Sequence, residues 1–390
     1  MALTGAMSAA ISGLKTHMEA LNVVGNNIAN VNTYGYKAQR VTFKESIYNT
    51  LSAGSAGTQA VGGTNPRQIG YGCSIGTIDL DMTTGSLEPT GMPTDCTIKG
   101  DGFFLVGPKT LDVKDVNALK SLTLTRVGNF EFRDGYLTDG QGNVVYGFLT
   151  TTEDPKGTTT GTPGVLPDGA DLNVSTALVP IRLPMKATGM DSTGAPMAGV
   201  TAGDAVYVGV DNTTGQNVDP GTVPAGGGAA VGPQVNGYID YENLSIDANG
   251  KITCTNKDTG DPVVVGYIAL GSVDNPNGVL HTDGPYYTAG DAAGGITIST
   301  PNSAVTGSLN NGKMFTTDPT TGQPTTTVDP DSMLSGKSGV SLLTSFLEQS
   351  GTDLATEFSN MIIYQRGYQA NTRIVTVTDT MLEELVNMKR

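Results

Sequence analysis

Apolar residues recur at every seventh position near both ends of the chain, and nowhere in its glycine-rich middle. Near the start, Met7, Leu14, Leu21 and Ile28 share one heptad position, with Ile11, Met18 and Gly25 in the row between them. Near the end, Leu347, Leu354, Met361, Tyr368, Val375 and Leu382 recur at the same interval, and Phe358, Ile362 and Val386 widen the stripe. Three-four spacing marks one face of an amphipathic helix; kept at seven over several turns, it marks a coiled-coil seam. Two ordinary core-facing helices would share the spacing but drift off the period. The pattern predicts a helix over 3–30, capped by Thr4 or Ser8 and stopped by Asn30, Asn32, Thr33 and Gly35. A second helix is predicted over 341–388, broken near Gly351, with Thr352 or Asp353 capping the restart. The two stripes can cover each other, and then the stripes of neighbouring subunits.

Between the helices the period falls to two. The segments SIGTIDLDM, DCTIKG, GFFLV, LTLTRVG, NFEFR, GYLTD and NVVYGFL read as short strands bounded by turn residues. The stretch 36–69 opens with an extended YKAQRVTF and continues into SAGSAGTQAVGGTNP, which reads as an irregular linker arm. A first β domain is expected over 70–150 and 238–340, with 291–335 a loop or insertion rich in Thr, Gly, Pro and Asp. A smaller β domain, 151–237, is expected as an insertion into the first. The helical segments 1–35 and 341–390 then form a terminal domain. The expected fold is therefore multidomain and mainly β with α-helical termini: a coiled-coil-like inner domain, with nested β domains outside it.

Composition narrows the function. Fifty-three glycines and 20 prolines in 390 residues suit short strands and tight turns. Charged residues make up only 15%, below the usual quarter, and the formal net charge of −15 argues against nucleic acid, whose phosphates require clustered Lys and Arg. No apolar run reaches membrane-spanning length, so no membrane insertion is expected. The start of the chain lacks a basic stretch ahead of a continuous apolar core, and so does not read as a cleavable signal peptide. Three widely spaced cysteines, Cys73, Cys96 and Cys254, make neither a disulfide framework nor a zinc site; a Cys73–Cys96 bridge stays open. His17 and His281 sit in no metal-ligand spacing. KGDGFFLV lacks the spacing of a phosphate cradle, and Asp247, Asn249 and Gly250 fit a hairpin turn better than a calcium loop. No catalytic, metal or cofactor site is expected, and the chain does not read as an enzyme; the alternative of a secreted β-rich hydrolase needs convergent acid and base groups, and nothing in the spacing of its Asp and Glu residues pairs them.

Two polar blocks interrupt the helical stripes. In VVGNNIANVNTYGYK, Asn26, Asn27 and Asn30 fall at i, i+1 and i+4 of a helix. In NMIIYQRGYQANTR, Gln365, Arg366, Gln369, Asn371 and Arg373 accompany Tyr364 and Tyr368. Amides on an apolar helix are costly if buried unpaired, so they are expected to cap a helix end or to bond backbone across a packed assembly.

These blocks carry a resemblance. AISGL at 10–14 with NNIANVNTYGYK at 26–37 resembles the N-terminal signature of the bacterial flagellar rod and hook proteins, and QRGYQANTR with DTMLEELVNMKR resembles their C-terminal signature. The stretches at 101–106, 125–147, 264–280 and 347–358 resemble further motifs of that family, whereas 151–237 and 291–335 match it weakly. Within the family, the added central segment and the arm sequence GGTNPRQIGYG resemble hook subunits more than the shorter rod subunits; the distal rod is the alternative. The resemblance implies a helical homopolymer, a tube passing motor torque to the filament, whose inner layer is built from the terminal helices. It implies an assembly interface comprising Leu14, Met18, Leu21, Asn26, Asn27, Ile28, Asn30, Leu354, Phe358, Met361, Gln365, Arg366, Tyr368, Asn371, Val375 and Leu382. It also implies other axial proteins as partners (distal rod, hook cap, hook–filament junction), export through the flagellar type III apparatus, and an extracellular place in the flagellum. Before assembly the terminal helices are expected to be largely unordered.

Overall fold

The computed structural model describes residues 2–57, 62–109, 113, 119–151, 173–174, 178–191, 195–196, 201–206, 233–301, 315–317, 324–328 and 340–388. The chain forms two compact units, Met1–Gly85 with Ser350–Arg390, and Ser86–Gln349.

The first unit is built from two helices and a ribbon. Helix α1 spans Ala2–Ala29 and helix α2 Leu354–Met388, about 42 and 53 Å at 1.5 Å per residue. Asp353 caps α2: its carboxylate accepts from the Ala355 N–H (3.0 Å) and the Thr356 hydroxyl (2.6 Å), which hold it below the usual carboxylate range. Strands β1 (Gln39–Glu45), β2 (Tyr48–Ser52), β3 (Arg67–Gly70) and β4 (Cys73–Leu80) pair antiparallel, β1 with β4 and β2 with β3. The Ser46 N–H donates to the Gly72 carbonyl (2.9 Å) and the Tyr71 N–H to the Ile47 carbonyl (3.1 Å), joining both pairs into one long ribbon. Within the stretch expected as an arm over 36–69, the extended start and both ends of the glycine-rich part are hydrogen-bonded strand. The change of unit comes at Gly85 rather than at Gly70, because β4 pairs back onto β1.

The second unit is all β among the described residues, apart from short helical turns. Its main sheet runs in the order Tyr241–Ile246, Lys251–Asn256, Pro262–Ile268, Val144–Thr151, Phe103–Gly107, Thr123–Thr125, Tyr286–Ala289 and Val279–His281. Phe148 pairs with Tyr267 and Phe104 with Leu270, so segments before 150 and after 238 share one sheet. Ile98, Phe104, Val106, Leu137, Val145, Ile181, Ile252 and Ile268 form its core. Gly250 closes the Asp247 turn at φ 73°, with its N–H on the Asp247 carbonyl, as a hairpin turn should.

Three boundaries differ from the expectation. Residues 341–344 and 346–348 are strands, paired with Cys96–Lys99 and Leu87–Pro89, so the terminal helix starts only at Leu354. Ser345, at φ 62°, breaks any helix there. In the segment 151–237, Val179 and Pro180 pair with Gly147 and Tyr146 of the main sheet, and Met185–Asp191 lies between Ala205–Val206 and Pro233–Tyr238 in a separate three-stranded sheet. Asn173 and Val174 also pair with Thr151 and Thr150 of the main sheet, and most of the rest of 151–237 lies outside the described residues. Of 291–335, Ile296–Ser299 pairs with Leu270–Val273 and Phe315–Thr317 with Pro324–Val328; the remainder also falls largely outside them.

Candidate assembly interface

The two terminal helices run antiparallel. Asn27 reaches Glu357, His17 reaches Tyr364, and Gly13 lies against Asn371. The buried row of α1 is Ala10, Gly13, Thr16, Ala20, Val23, Val24 and Asn27. These side chains are mostly small, which lets neighbouring elements approach closely. A Cβ on Gly13 would stand 2.7 Å from the Asn371 amide, and one on Gly367 would stand 2.7 Å from the His17 ring. The seam within the chain is therefore set by small residues, not by the heptad leucines.

One end of the seam is a hydrogen-bonded knot around Asn27, which is fully buried. Its Nδ2 donates to the Gln39 carbonyl (2.8 Å) and to Glu357 Oε1 (3.0 Å). Its Oδ1 accepts from the Gln39 N–H (3.0 Å) and from the Tyr36 hydroxyl (3.0 Å). The amide thus ties the end of α1, the start of β1 and the first turn of α2. Asn26 donates to the Tyr36 hydroxyl (3.1 Å), and Asn30 donates back to the Asn26 carbonyl (2.9 Å), closing the helix end. Burial, with Glu357 close by, pushes the Tyr36 phenol up to about 12. Burial also raises the Glu357 carboxyl, against the opposing Asn27 hydrogen bond; its Oε2 is buried without a partner.

The predicted interface residues divide in two. Asn27 lies in the seam, and Leu14, Leu21, Ile28, Asn30, Met361, Tyr368, Asn371 and Val375 are half-buried beside it. Met18, Asn26, Leu354, Phe358, Gln365, Arg366 and Leu382 are exposed. Leu347 is buried in the second unit, on a strand. Of the described α2 residues only Thr378 is fully buried, while Phe358, Ile362, Ile363, Ile374, Val377, Met381, Leu385, Val386 and Met388 stand open. From the Gly13–Asn371 contact, eleven residues remain to Ala2 and seventeen to Met388, so the end of α2 overhangs α1. The helix pair closes on small residues and leaves its large apolar ones outward.

Tyr36, Glu357, Gly13 and Gly367 were not among the predicted interface residues. The small-residue row 13, 16, 20 has helical spacing but no hydrophobic signal, and Asn27 and Glu357 lie 330 residues apart. The chemical candidates are absorbed by packing. His17 sits against Phe43 and Tyr364, and His281 against Tyr287. The three cysteines are unbridged, and burial raises the thiols of Cys96 and Cys254, the latter to about 11. Among the described residues no cluster of three or more His, Cys, Asp or Glu could hold a metal ion, and no helix is long and apolar enough to cross a membrane.

Residues 7–37 match the family model described as flagella basal body rod protein, and residues 343–388 match the one described as flagellar basal body rod FlgEFG protein C-terminal. The chain is 30% identical over 381 residues to the flagellar basal-body rod protein FlgG of Bacillus subtilis (strain 168), covering 97% of each. It is 27% identical over 478 residues to the flagellar hook protein FlgE of Borreliella burgdorferi, covering 97% of this chain and 98% of that one. To the flagellar hook protein FlgE of Treponema pallidum it is 26% identical over 480 residues, with the same coverage. A crystal structure of Helicobacter pylori flagellar hook protein FlgE2 aligns at 11% identity and a TM-score of 0.33, over 67% of this chain and 100% of that chain.

Proposed function

The chain belongs to the family of flagellar basal-body rod and hook proteins, as a structural subunit of the flagellar axis, and we propose that it is the hook subunit. It polymerises into a flexible helical tube that carries motor torque to the filament. The observation that carries the polymer is the outward apolar face of α2, from Phe358 to Met388, which nothing in the described chain covers. A contact between different surfaces of successive subunits does not close on itself, and it propagates as an open helix. Met18, Leu354, Phe358, Gln365, Arg366 and Leu382 face neighbouring subunits in this reading, while Asn27 and Asn371 hold the helix pair that presents them. The helices form the inner layer and the β unit the outer one.

Similarity to two hook proteins over nearly the full length of both chains supports the hook reading. The distal rod is the second reading, favoured by the equally complete match to a protein named for the rod. The partners are further copies of this chain, the adjoining axial proteins (distal rod, hook cap, hook–filament junction) and the flagellar export apparatus. The subunit works outside the cell, and it performs no catalysis. Negative-stain microscopy of polymerised, purified protein tests the assignment. Short curved tubes are expected; straight rods would favour the second reading, and monodisperse particles at every concentration would overturn both.

A further inference from the structure

The β-ribbon of the first unit is half covered and half bare. Its proximal part, β1 with β4, lies on the helices: Phe43 packs on His17 and Tyr364, and the Thr16 hydroxyl donates to the Cys73 carbonyl (3.2 Å). Past Gly72, whose backbone at φ +106° passes so close to Ser12 that no Cβ would fit, the ribbon leaves that support. Every residue of β2 is exposed, and so is all of β3 but its last. The two faces of this distal part differ. Asn49 stands opposite Ile69, and alternation places Ile47, Leu51, Ile69 and Tyr71 on that side; Tyr48, Thr50 and Gln68 occupy the other. Ile47 is 78% exposed, Leu51 59% and Ile69 51%. A two-stranded ribbon is at best marginally stable in water on its own, and this one keeps its apolar side chains in solvent.

A matching surface lies elsewhere on the same unit. Ile374, Val377, Met381, Leu385 and Met388 form an exposed row on α2 at three-four spacing. Both surfaces are bare, so they do not cover each other within one chain. Their charges are complementary. Arg67 is the one charged side chain in 46–72, and on α2 helical spacing sets Glu384 on the flank of the row, with Asp379 and Glu383 on the opposite face. In the second unit, the exposed large apolar side chains among the described residues are Leu87, Met92, Met190, Tyr241 and Leu280, scattered without strand or helix spacing.

We propose that the apolar face of the distal ribbon docks on the exposed C-terminal row of α2 in a second copy of this chain, with Arg67 beside Glu384 of that helix. This contact rests on reading the chain as a polymer subunit. It joins two different surfaces and therefore propagates rather than closing into a dimer.

Two full-length variants, both carrying Cys73→Ser, test it: one with Ile69→Cys and one with Met381→Cys, mixed, polymerised and oxidised. A disulfide between the two variants is expected in the tubes, at about tenfold or more its yield in the unpolymerised mixture. Separately, Ile69→Glu should leave the circular dichroism of the monomer unchanged and raise the critical concentration for polymerisation about tenfold or more. Tubes that lack the mixed disulfide, or Ile69→Glu tubes forming at the wild-type concentration, would overturn the contact and leave the polymer reading standing. A wild-type chain that forms no polymer would overturn both.

Discussion

The two units bury their apolar residues to different degrees. In the second, Ile98, Phe104, Leu105, Val106, Tyr146 and Ile268 are fully enclosed. Among its buried charges, Arg126 lies 3.8 Å from Glu348 and donates to the Gly100 carbonyl at 2.9 Å. In the first unit the long helix leaves eleven large apolar side chains exposed and encloses little more than Thr378. A domain whose burial is complete is finished as a monomer. One with this much apolar surface still open is finished only by a neighbour, since the open area is what association removes from water. The same chain thus holds one unit that hides its large apolar residues and one that leaves many of them open.

The sharpest way to break this contrast is to separate the units. Residues 86–349 expressed alone should unfold cooperatively as a β domain and stay monomeric in sedimentation at concentrations where the full chain forms tubes. Polymer from this fragment would show that the helices are not the assembly element. Next, paired truncations compare like with like. Phe104 lies edge-on to Phe130 at 5.0 Å and is wholly buried, so Phe104→Ala should lower the stability of the second unit by about 3–5 kcal/mol in denaturant titration. Phe358→Ala, at a site half exposed, should change monomer stability by less than about 0.5 kcal/mol yet weaken polymerisation. Equal costs at the two sites would erase the distinction.

Smaller effects probe the seam. Asn27→Ala leaves the Gln39 N–H and carbonyl without their partner and should cost the first unit about 2–3 kcal/mol, with no change in the second. Glu357→Gln sharpens the same point through pH. The Glu357 carboxyl titrates above its unfolded value, so the folded unit holds more protons in that interval and loses stability as pH rises through it. The amide removes that decline while keeping an oxygen for Asn27. Thermal melts should therefore show the variant slightly more stable than wild type at about pH 8 and no better at about pH 4.

The helices and most strands were legible because their signal is periodic. Leu14 to Ile28 and Met361 to Val375 fall on helices, and GFFLV and NVVYGFL on strands of the main sheet. The heptad reading misplaced the seam because a period reports where apolar residues recur, not which neighbour covers them. Gly13, Thr16 and Ala20 make the contact within the chain, and a row of small residues carries no hydrophobic signal. The stretch 341–349 looked helical because Leu347 falls in phase with Leu354; its strand state comes from pairing with Leu87–Pro89, some 260 residues away in sequence, which no local pattern records. The ribbon was hidden for a similar reason, its outer strands being rich in Thr, Ser and Gly and short of a core to alternate against.

The clasp between Leu87–Pro89 and Phe346–Glu348 has a mechanical consequence. The chain enters the second unit at Ser86 and leaves it at Gln349, and the Gln349 N–H is bonded to the Ser86 carbonyl at 2.8 Å. Tension applied through those two ends opens the strand pair like a zipper: the bonds are loaded one after another, never together. A ladder pulled in that direction yields at the strength of its weakest rung. The paired strands thus hold the unit's two ends in register rather than bear strain pulled through them.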